Sequence, residues 1–271
     1  MPRKRKKKGQ YRGRVIGGRA VTARSKPSSR RARMQTTRSG GPPGTPGIGF
    51  FKGPSPPVPG GLAIPPIMPD PYVPTIQIGN QVWMKENLKA THYKNGHPIP
   101  LTIDSDLWRY KTTGGRCVYD NDESNSEDLQ EIVDTYGYLY NWYAAADRRG
   151  ICPEGFHVPT DAEFTVLKDF ITNDGYAGIE GNALKEIGDE HWDTAGGLDV
   201  YGFTGLPGGY RRPVPFTWGP YYRMGNAGYF WSSTSYGSSR GLHRKLHHSG
   251  AGIYRYDNDG RHGFSVRCIA D

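Results

Sequence analysis

The sequence predicts an α+β domain with few regular elements over residues 75–271, preceded by an extended N-terminal arm that is basic and rich in proline. Three observations support this prediction. Residues 1–52 hold 16 of the 35 lysines and arginines and no acidic residue. Thr160 begins an amphipathic helix with a capping box, and short apolar strands are predicted near both ends of the domain.

Residues 1–40 form the basic arm, which contains few apolar residues. Such a segment cannot bury enough apolar surface to fold alone. Its charge predicts electrostatic docking to a polyanion or to an acidic protein surface, with a solubilising tail as the alternative. Because aromatic residues for base stacking are not interleaved with the charges, no sequence-specific nucleic-acid binding is expected.

Residues 41–74 hold 12 of the 22 prolines and are predicted to form an extended linker or a strap along another surface. The whole chain has a net charge of +9, but residues 53–271 combine 19 basic with 26 acidic residues, a net charge of −7. The excess positive charge therefore belongs to the arm. No run approaches the ~20 apolar residues of a membrane-spanning helix, so no membrane span is predicted.

The first elements of the domain are predicted from short-range patterns. Two short strands are expected on either side of the turn Gly79-Asn80. Residues 104–131 are polar and are predicted to form a loop with a few apolar anchors. Aromatic and aliphatic residues at spacings of three and four, with Gly150 as a stop, predict a helix over residues 135–149.

A second helix is predicted to begin at the capping box that Thr160 forms with Glu163. Its apolar face would contain Phe164 and Leu167. A short third helix is expected over residues 182–187. After it the chain is rich in glycine and aromatic residues, which predicts long loops held by aromatic anchors.

The last 44 residues contain the stretch most suited to binding. Residues 229–234 and 263–269 are predicted strands, and in the second strand Phe264, Val266 and Cys268 alternate onto one buried face. The 28 residues between them, 235–262, include 19 that are Ser, Gly, Tyr, His, Asp or Asn. These residue types make adaptable contacts in antibody binding surfaces, although a Gly/Ser-rich surface loop is the simpler interpretation.

The predicted ligand surface follows from this stretch. On a strand beginning at Gly241, Leu242, Arg244 and Leu246 would face inward, and His243 and its alternate neighbours would face outward. Tyr and Arg are the expected binding hot spots. The predicted ligand-binding residues are Tyr236, Arg240, His243, Lys245, His247, Tyr254, Tyr256, Asn258 and Arg261.

Cysteine and histidine usage predicts no metal centre, cofactor or catalytic residue. The three cysteines, Cys117, Cys152 and Cys268, leave open one disulfide with an unpaired thiol or three thiols. Half of the eight histidines lie in residues 235–262, but neither cysteine nor carboxylate stands at metal-ligand spacing from them. No nucleophile–base motif occurs, so the sequence predicts a protein that is not an enzyme.

Several phrases, taken together, resemble the Fibrobacter succinogenes major paralogous domain over residues 76–271. They occupy residues 78–88, 136–142, 152–160, 202–203, 206–211, 230–234 and 263–268. The resemblance implies a C-type lectin-like fold, in the branch that includes formylglycine-generating enzymes. Unlike many bacterial members, the chain has a basic arm and a Pro-rich strap in place of a secretion signal. No Glu-Pro-Asn or Gln-Pro-Asp triplet supports calcium-dependent sugar binding.

The same resemblance implies a function in ligand binding. This domain serves as the variable protein of diversity-generating retroelements, in which Asn codons are scattered to Tyr, Ser, His, Asp and Gly near the C-terminus. Residues 235–262 have that alphabet. We therefore expect a phage virion protein that displays this stretch to a host surface protein or glycan and contacts other virion proteins through residues 1–74. The sequence leaves a homo-oligomer open.

Three alternatives follow from the same features. A bacterial cell-surface binding protein would have the same fold. The basic arm would suit nucleic-acid or capsid-interior binding, although the negative charge of residues 53–271 opposes that role. A formylglycine-generating oxidase is disfavoured. That enzyme needs a cysteine pair in its active site, and the three cysteines of this chain stand in contexts typical of structural residues. A shared fold alone does not imply a shared catalytic activity.

Overall fold

The computed structural model describes residues 73–120 and 126–271, and it confirms an α+β architecture. The predictions for the arm and for most of the linker lie outside the described residues. The strands are β1 (Thr75–Ile78), β2 (Gln81–Met84), β3 (Arg116–Cys117), β4 (Leu139–Asn141), β5 (Phe156–His157), β6 (Gly208–Arg211), β7 (Tyr221–Met224), β8 (Ala227–Ser235), β9 (Arg240–His247), β10 (Gly250–Asp259), β11 (Gly263–Phe264) and β12 (Ile269–Ala270). The helices are α1 (Ser105–Arg109), α2 (Ser126–Tyr136), α3 (Trp142–Ala145), α4 (Asp161–Ile171) and α5 (Glu180–Leu184).

The strands form two sheets that both depend on the end of the chain. The smaller sheet has the order β1-β2-β12-β5, and Ile269 of β12 pairs with both Trp83 and His157. The larger sheet has the order β10-β9-β8-β6-β11-β4-β3, with β7 paired to β6. Its strands are antiparallel except for the β6–β8 pair. The last nine residues therefore contribute a strand to each sheet.

Two apolar clusters pack on the two sides of strand β8. Trp231 belongs to the first cluster, where its Nε1 donates a hydrogen bond to the carbonyl of Tyr140 at 2.8 Å. Phe230 belongs to the second cluster, which contains Trp83 and the apolar face of α4. Trp231, Phe264 and Val266 are fully buried, as predicted. Because both sides of β8 are covered, its residues are apolar at consecutive positions.

Two buried arginines hold the long loops in place of regular strand pairing. Arg211 donates to the carbonyls of Thr102 at 2.6 Å and Ile103 at 2.7 Å. Arg267 donates to Oδ1 of Asn87 at 2.7 Å and to the carbonyl of Phe203. Burial lowers the pKa of Arg267 to about 9, although the charges of nearby acidic residues oppose the shift. Each buried guanidinium thus satisfies loop carbonyls that would otherwise lack partners.

The second and third predicted helices are present. In the capping box of α4, the Thr160 hydroxyl accepts from the backbone N–H of Glu163 at 3.2 Å, and the Glu163 carboxylate accepts from the N–H of Thr160 at 2.7 Å. The apolar face that begins with Phe164 and Leu167 is buried. Helix α5 begins at Glu180 and ends at Leu184, so the predicted bounds of 182–187 were too late.

The prediction of a helix over residues 135–149 is wrong. Helix α2 ends at Tyr136, because Gly137 adopts a φ of 72° that a continuing helix does not allow. The chain then pairs with β3 and β11 as β4. The side chain of Asn141 accepts hydrogen bonds from Gly115 N and Ala144 N, each at 3.0 Å, and so begins the separate helix α3.

Two other predicted elements also differ from the structure. The polar stretch 104–131 contains two helices, and Asp104 caps α1 by accepting from the N–H of Leu107 at 2.7 Å. The closing stretch 263–269 is two short strands with an irregular segment between them. Ser265 and Arg267 are buried there as well as their apolar neighbours, so both sides of the segment are covered.

A disulfide joins Cys152 to Cys268 across 116 residues of sequence. This bond settles the pairing that the sequence left open. Cys117 is a buried free thiol. The disulfide fixes the chain end, between β11 and β12, to the loop that precedes β5.

Replacing Cys152 and Cys268 together with alanine is expected to lower the free energy of unfolding by about 2–5 kcal/mol, because a cross-link over a long loop restricts the unfolded chain. Urea unfolding followed by tryptophan fluorescence measures the change. In the presence of a reducing agent, the variant and the wild type should unfold at nearly the same urea concentration. A variant as stable as the oxidised wild type would contradict this expectation.

Candidate functional site

Residues 235–262 form a β-hairpin at the edge of the larger sheet. Strand β10 pairs antiparallel with β9, and β9 pairs antiparallel with β8. Within the described part of the chain, β10 is the outermost strand of this sheet. The stretch predicted for binding is therefore a regular element rather than a Gly/Ser-rich loop.

Strand register divides the hairpin residues between two faces. Residues directly opposite each other in an antiparallel pair lie on the same face. One face contains the row Tyr229–Lys245–Tyr254 and the row Trp231–His243–Tyr256. Exposure rises towards the edge: in the first row it is 7% at Tyr229 and 37% at Tyr254, and in the second row it is 0% at Trp231 and 50% at Tyr256.

The opposite face of the hairpin is closed by the helices. Arg244 is buried there, with Leu242 and Leu246, as the alternation predicted. Its guanidinium donates to the Thr165 hydroxyl at 2.9 Å and pairs with Asp161 at 2.8 Å. Arg255, directly across the strand pair, contacts the same carboxylate at 2.8 Å. Asp161 at the start of α4 therefore pairs with two neighbouring arginines behind the hairpin.

Two further contacts hold the hairpin from outside its own sequence. The buried ammonium of Lys185 donates to the carbonyls of His247 at 3.0 Å and Gly250 at 3.1 Å, on either side of the turn. Helix α5 lies so close to β10 that a Cβ at Gly181 would stand 2.3 Å from the carbonyl oxygen of Gly252. Glycine at 181 is thus required by the close approach of the two backbones.

His243 lies on the face of β9 that the alternation predicted, but its side chain is only 1% exposed, so its predicted place in an exposed ligand surface is wrong. Its ring lies 4.6 Å from that of Phe264 and 6.0 Å from that of Tyr256, centre to centre. Burial lowers the pKa of His243 to about 3, and nearby positive charges add to the shift, so the imidazole is neutral at pH 7. Its Nδ1 atom makes no hydrogen bond with the described residues.

The other predicted binding residues fall into two groups. Lys245, Tyr254, Tyr256 and Asn258 lie on the open face by register, with His247 near the turn. Burial and neighbouring positive charges lower the pKa of His247 to about 4. The second group, Tyr236, Arg240 and Arg261, lies towards the opposite end of the hairpin.

The arginines of the second group are engaged by carboxylates. Arg240 pairs with Asp257, and Arg261 pairs with Asp259 at 2.6 Å. Tyr236 is exposed in the connection between β8 and β9. The structure therefore brings Lys245 and the two β10 tyrosines together, but it leaves Arg240 and Arg261 in internal ion pairs.

Sequence reasoning missed part of the open face. Strands β6 and β7 place Tyr210 beside Tyr222, with ring centres 5.8 Å apart. Tyr210 also lies 4.8 Å from the ring of Tyr229, which extends the aromatic surface away from the hairpin. No local signal marked these positions, because the β6–β8 pairing is what joins them to the hairpin.

Two cations lie on this surface. The Arg212 guanidinium stacks 3.9 Å from the centre of the Tyr222 ring, and the Lys245 ammonium lies 5.8 Å from that of Tyr229. Neither cation forms a salt bridge with a carboxylate of the described residues. We call this surface the tyrosine face, which consists of Tyr210, Arg212, Tyr222, Tyr229, Lys245, Tyr254 and Tyr256.

A second candidate site is the cleft of about 320 Å³ beside the disulfide, which is lined in part by Arg149 and His157. The two ring nitrogens of His157 contact Asp271 at 2.7 Å and Glu163 at 2.8 Å. Burial lowers the pKa of His157, but these hydrogen bonds outweigh burial and raise it. His157 thus fixes the chain end to α4. Residues 73–120 and 126–271 contain no group of three His, Cys, Asp or Glu residues able to hold a metal ion.

No helix of the described chain is long and apolar enough to cross a bilayer.

Comparison with known proteins identifies the family. No curated protein and no solved structure shows significant similarity to the chain. The Fibrobacter succinogenes major domain matches residues 76–270, which include both sheets except Thr75, the first residue of β1, and all of the tyrosine face. The chain therefore belongs to the Fibrobacter succinogenes major domain family.

Proposed function

We propose that this protein is a display module that binds a host surface ligand through its tyrosine face. The observation that supports the proposal most directly is the position of Tyr254 and Tyr256. Both side chains are exposed on the edge strand, whereas the other face of the hairpin is packed against helices. Exposed tyrosines on a rigid support provide a large contact area at a small entropic cost.

The fold that accompanies this proposal is the C-type lectin-like domain. Strands β1 and β12 share one sheet, so the two ends of the domain lie together. Long loops held by Arg211 and Arg267 connect the remaining short elements. Both features support a scaffold that presents one surface away from its termini.

The proposal also assigns no catalytic role. Both nitrogens of His157 are engaged by carboxylates, which leaves this histidine poorly placed as a general base. Cys152 and Cys268 are bonded to each other, and Cys117 is buried. These contacts support binding over the cysteine-dependent oxidation of formylglycine-generating enzymes.

Diversification of residues 235–262 by a retroelement is a further part of the proposal. Lys185, which lies outside the stretch, holds the hairpin backbone, and Asp161 pairs with the inward-facing Arg244. The outward side chains of the hairpin can therefore change while the fold stays fixed. We expect the neighbouring DNA to contain a near-copy of the 3′ end of the gene that differs at adenines, beside a reverse-transcriptase gene. Sequencing of the locus tests this, and a locus with neither feature would contradict it.

The proposed location is a phage virion, with a bacterial cell surface as the alternative. In the virion, the basic arm would dock to acidic surfaces of other virion proteins, because the arm holds much of the positive charge and the domain is net negative. The Pro-rich linker would then hold the domain at a distance from the particle.

Alanine at both Tyr254 and Tyr256 is expected to weaken binding of the full chain to host cells by at least about tenfold, because exposed tyrosines are common hot spots. The melting temperature should stay nearly unchanged. Flow cytometry with labelled protein measures binding, and calorimetry measures melting.

Two control variants accompany this test. Tyr110→Ala removes a tyrosine that is 65% exposed outside the tyrosine face, so binding should be retained. Trp231→Ala removes a fully buried ring and should lower the free energy of unfolding by about 3–5 kcal/mol. Wild-type binding by the double tyrosine variant, or its unfolding, would overturn the proposal.

Deletion of residues 1–40 should remove the protein from its particle while the domain keeps its fold. The expected cause is the loss of electrostatic docking by the arm. Immunoblots of purified particles measure incorporation, and circular dichroism checks folding. Incorporation at the wild-type level would contradict anchoring through the arm.

A further inference from the structure

We propose that the ligand of the tyrosine face is an acidic glycan, a chain of sugar rings that bear carboxylate groups. This inference rests on the proposed function, and it adds the chemical class of the ligand. Two properties of the face support it: its ring surfaces, and its two cations, which form no salt bridge with a carboxylate of the described residues.

The rings form a continuous path. Successive contacts run from Arg212 to Tyr222 at 3.9 Å, from Tyr222 to Tyr210 at 5.8 Å, from Tyr210 to Tyr229 at 4.8 Å, and from Tyr229 to Lys245 at 5.8 Å. Each tyrosine has an apolar ring and a polar hydroxyl. Sugar rings have the matching property, since their C–H faces stack on aromatic rings while their hydroxyl groups form hydrogen bonds.

The charge of the face is opposite to that of the domain. Residues 53–271 have a net charge of −7, yet the path begins and ends on a cation. The nearest hairpin carboxylates are already neutralised, since Asp257 pairs with Arg240 and Asp259 pairs with Arg261. Burial and the positive charge of Arg223 lower the pKa of Lys245, so an anion beside Lys245 would relieve an unfavourable environment.

The buried imidazole of His243 adds a neutral polar group beneath the face. Its Nδ1 atom is unpartnered among the described residues, and its ring packs 5.9 Å from Tyr229 and 6.0 Å from Tyr256. A neutral imidazole can donate or accept one hydrogen bond at such an atom. Because this atom is buried, a ligand on the surface does not reach it, and the neutral ring leaves the positive charge of the face to Arg212 and Lys245.

The arrangement favours a glycan over an acidic peptide. Arg212 and Lys245 contact different rings and are linked only through successive ring contacts, in which Tyr210 and Tyr222 are partly exposed and Tyr229 is 7% exposed. A polymer in which each sugar ring bears a carboxylate presents rings and charges in that alternation. An acidic peptide would instead present its charges on flexible side chains, without ring surfaces to cover the tyrosines.

The test uses the full chain and trigalacturonate, a short chain of three uronic acid rings, with binding measured by isothermal titration calorimetry. Because the basic arm also attracts anions, the decisive comparison is between variants that keep the arm. Arg212→Gln with Lys245→Gln removes both cations of the face. Arg148→Gln with Lys85→Gln removes one exposed arginine and one exposed lysine outside the tyrosine face and is matched to the face variant in residue type and charge. Circular dichroism verifies that both variants fold.

The face variant is expected to bind trigalacturonate about tenfold more weakly than the control variant. Maltotriose, a neutral chain of three sugars, should bind much more weakly than trigalacturonate to the wild type. Equal affinity of the two double variants would assign the binding to the arm and overturn the inference. So would equal affinity for maltotriose, or stronger binding of a hexaglutamate peptide than of trigalacturonate.

The outcome can be separated from that of the proposed function. Loss of cell binding in the tyrosine variant, with full cell binding in the Arg212→Gln and Lys245→Gln variant, would contradict the acidic glycan as ligand. The proposal that the tyrosine face binds the host would still hold. Full cell binding by the tyrosine variant would contradict both the proposed function and the acidic glycan as ligand.

Discussion

Burial of residues 263–269 is the constraint on which the rest of this structure depends. Phe264 packs 4.3 Å from the ring of Trp231, between strands that come from distant parts of the chain. Ile269 then enters the smaller sheet beside Trp83, and the disulfide of Cys268 fixes the same segment to the loop before β5. Because this segment occupies both sheets, the domain gains most of its long-range order only when the chain end is in place.

The buried cations show how a domain with little regular structure satisfies its polar groups. Arg211 and Arg267 each bridge carbonyls of separate loops, and each stacks on an aromatic ring, Trp108 at 4.6 Å and Phe203 at 4.2 Å. A buried charge without hydrogen bonds costs several kcal/mol, so these contacts are a condition of folding. Arg212 and Lys245 of the tyrosine face also lie over aromatic rings, but neither forms a salt bridge with a carboxylate of the described residues, and this supports the proposed role towards a ligand.

Local signals predicted helix α4 and the buried strand β8, because a capping box and a dense apolar run are short-range features. The helix predicted over residues 135–149 failed because strand pairing with β3 and β11 overrides residue spacing. His243 alternates outward on its strand, yet Phe264 covers it from 21 positions along the chain. Composition located Tyr254 and Tyr256, whereas Tyr210 and Tyr222 join them only through the sheet order.

The hairpin keeps the residues that stabilise the fold apart from the outward residues of the proposed binding surface. Its back is held by Lys185, Asp161 and the apolar face of α4, and its buried base is held by Trp231 and Phe264. All but Phe264 lie before residue 235, and Phe264 follows residue 262. A substitution at an outward position of β10 therefore removes few contacts that stabilise the fold. Under the proposed function, the side chains furthest from the core are free to vary with the ligand.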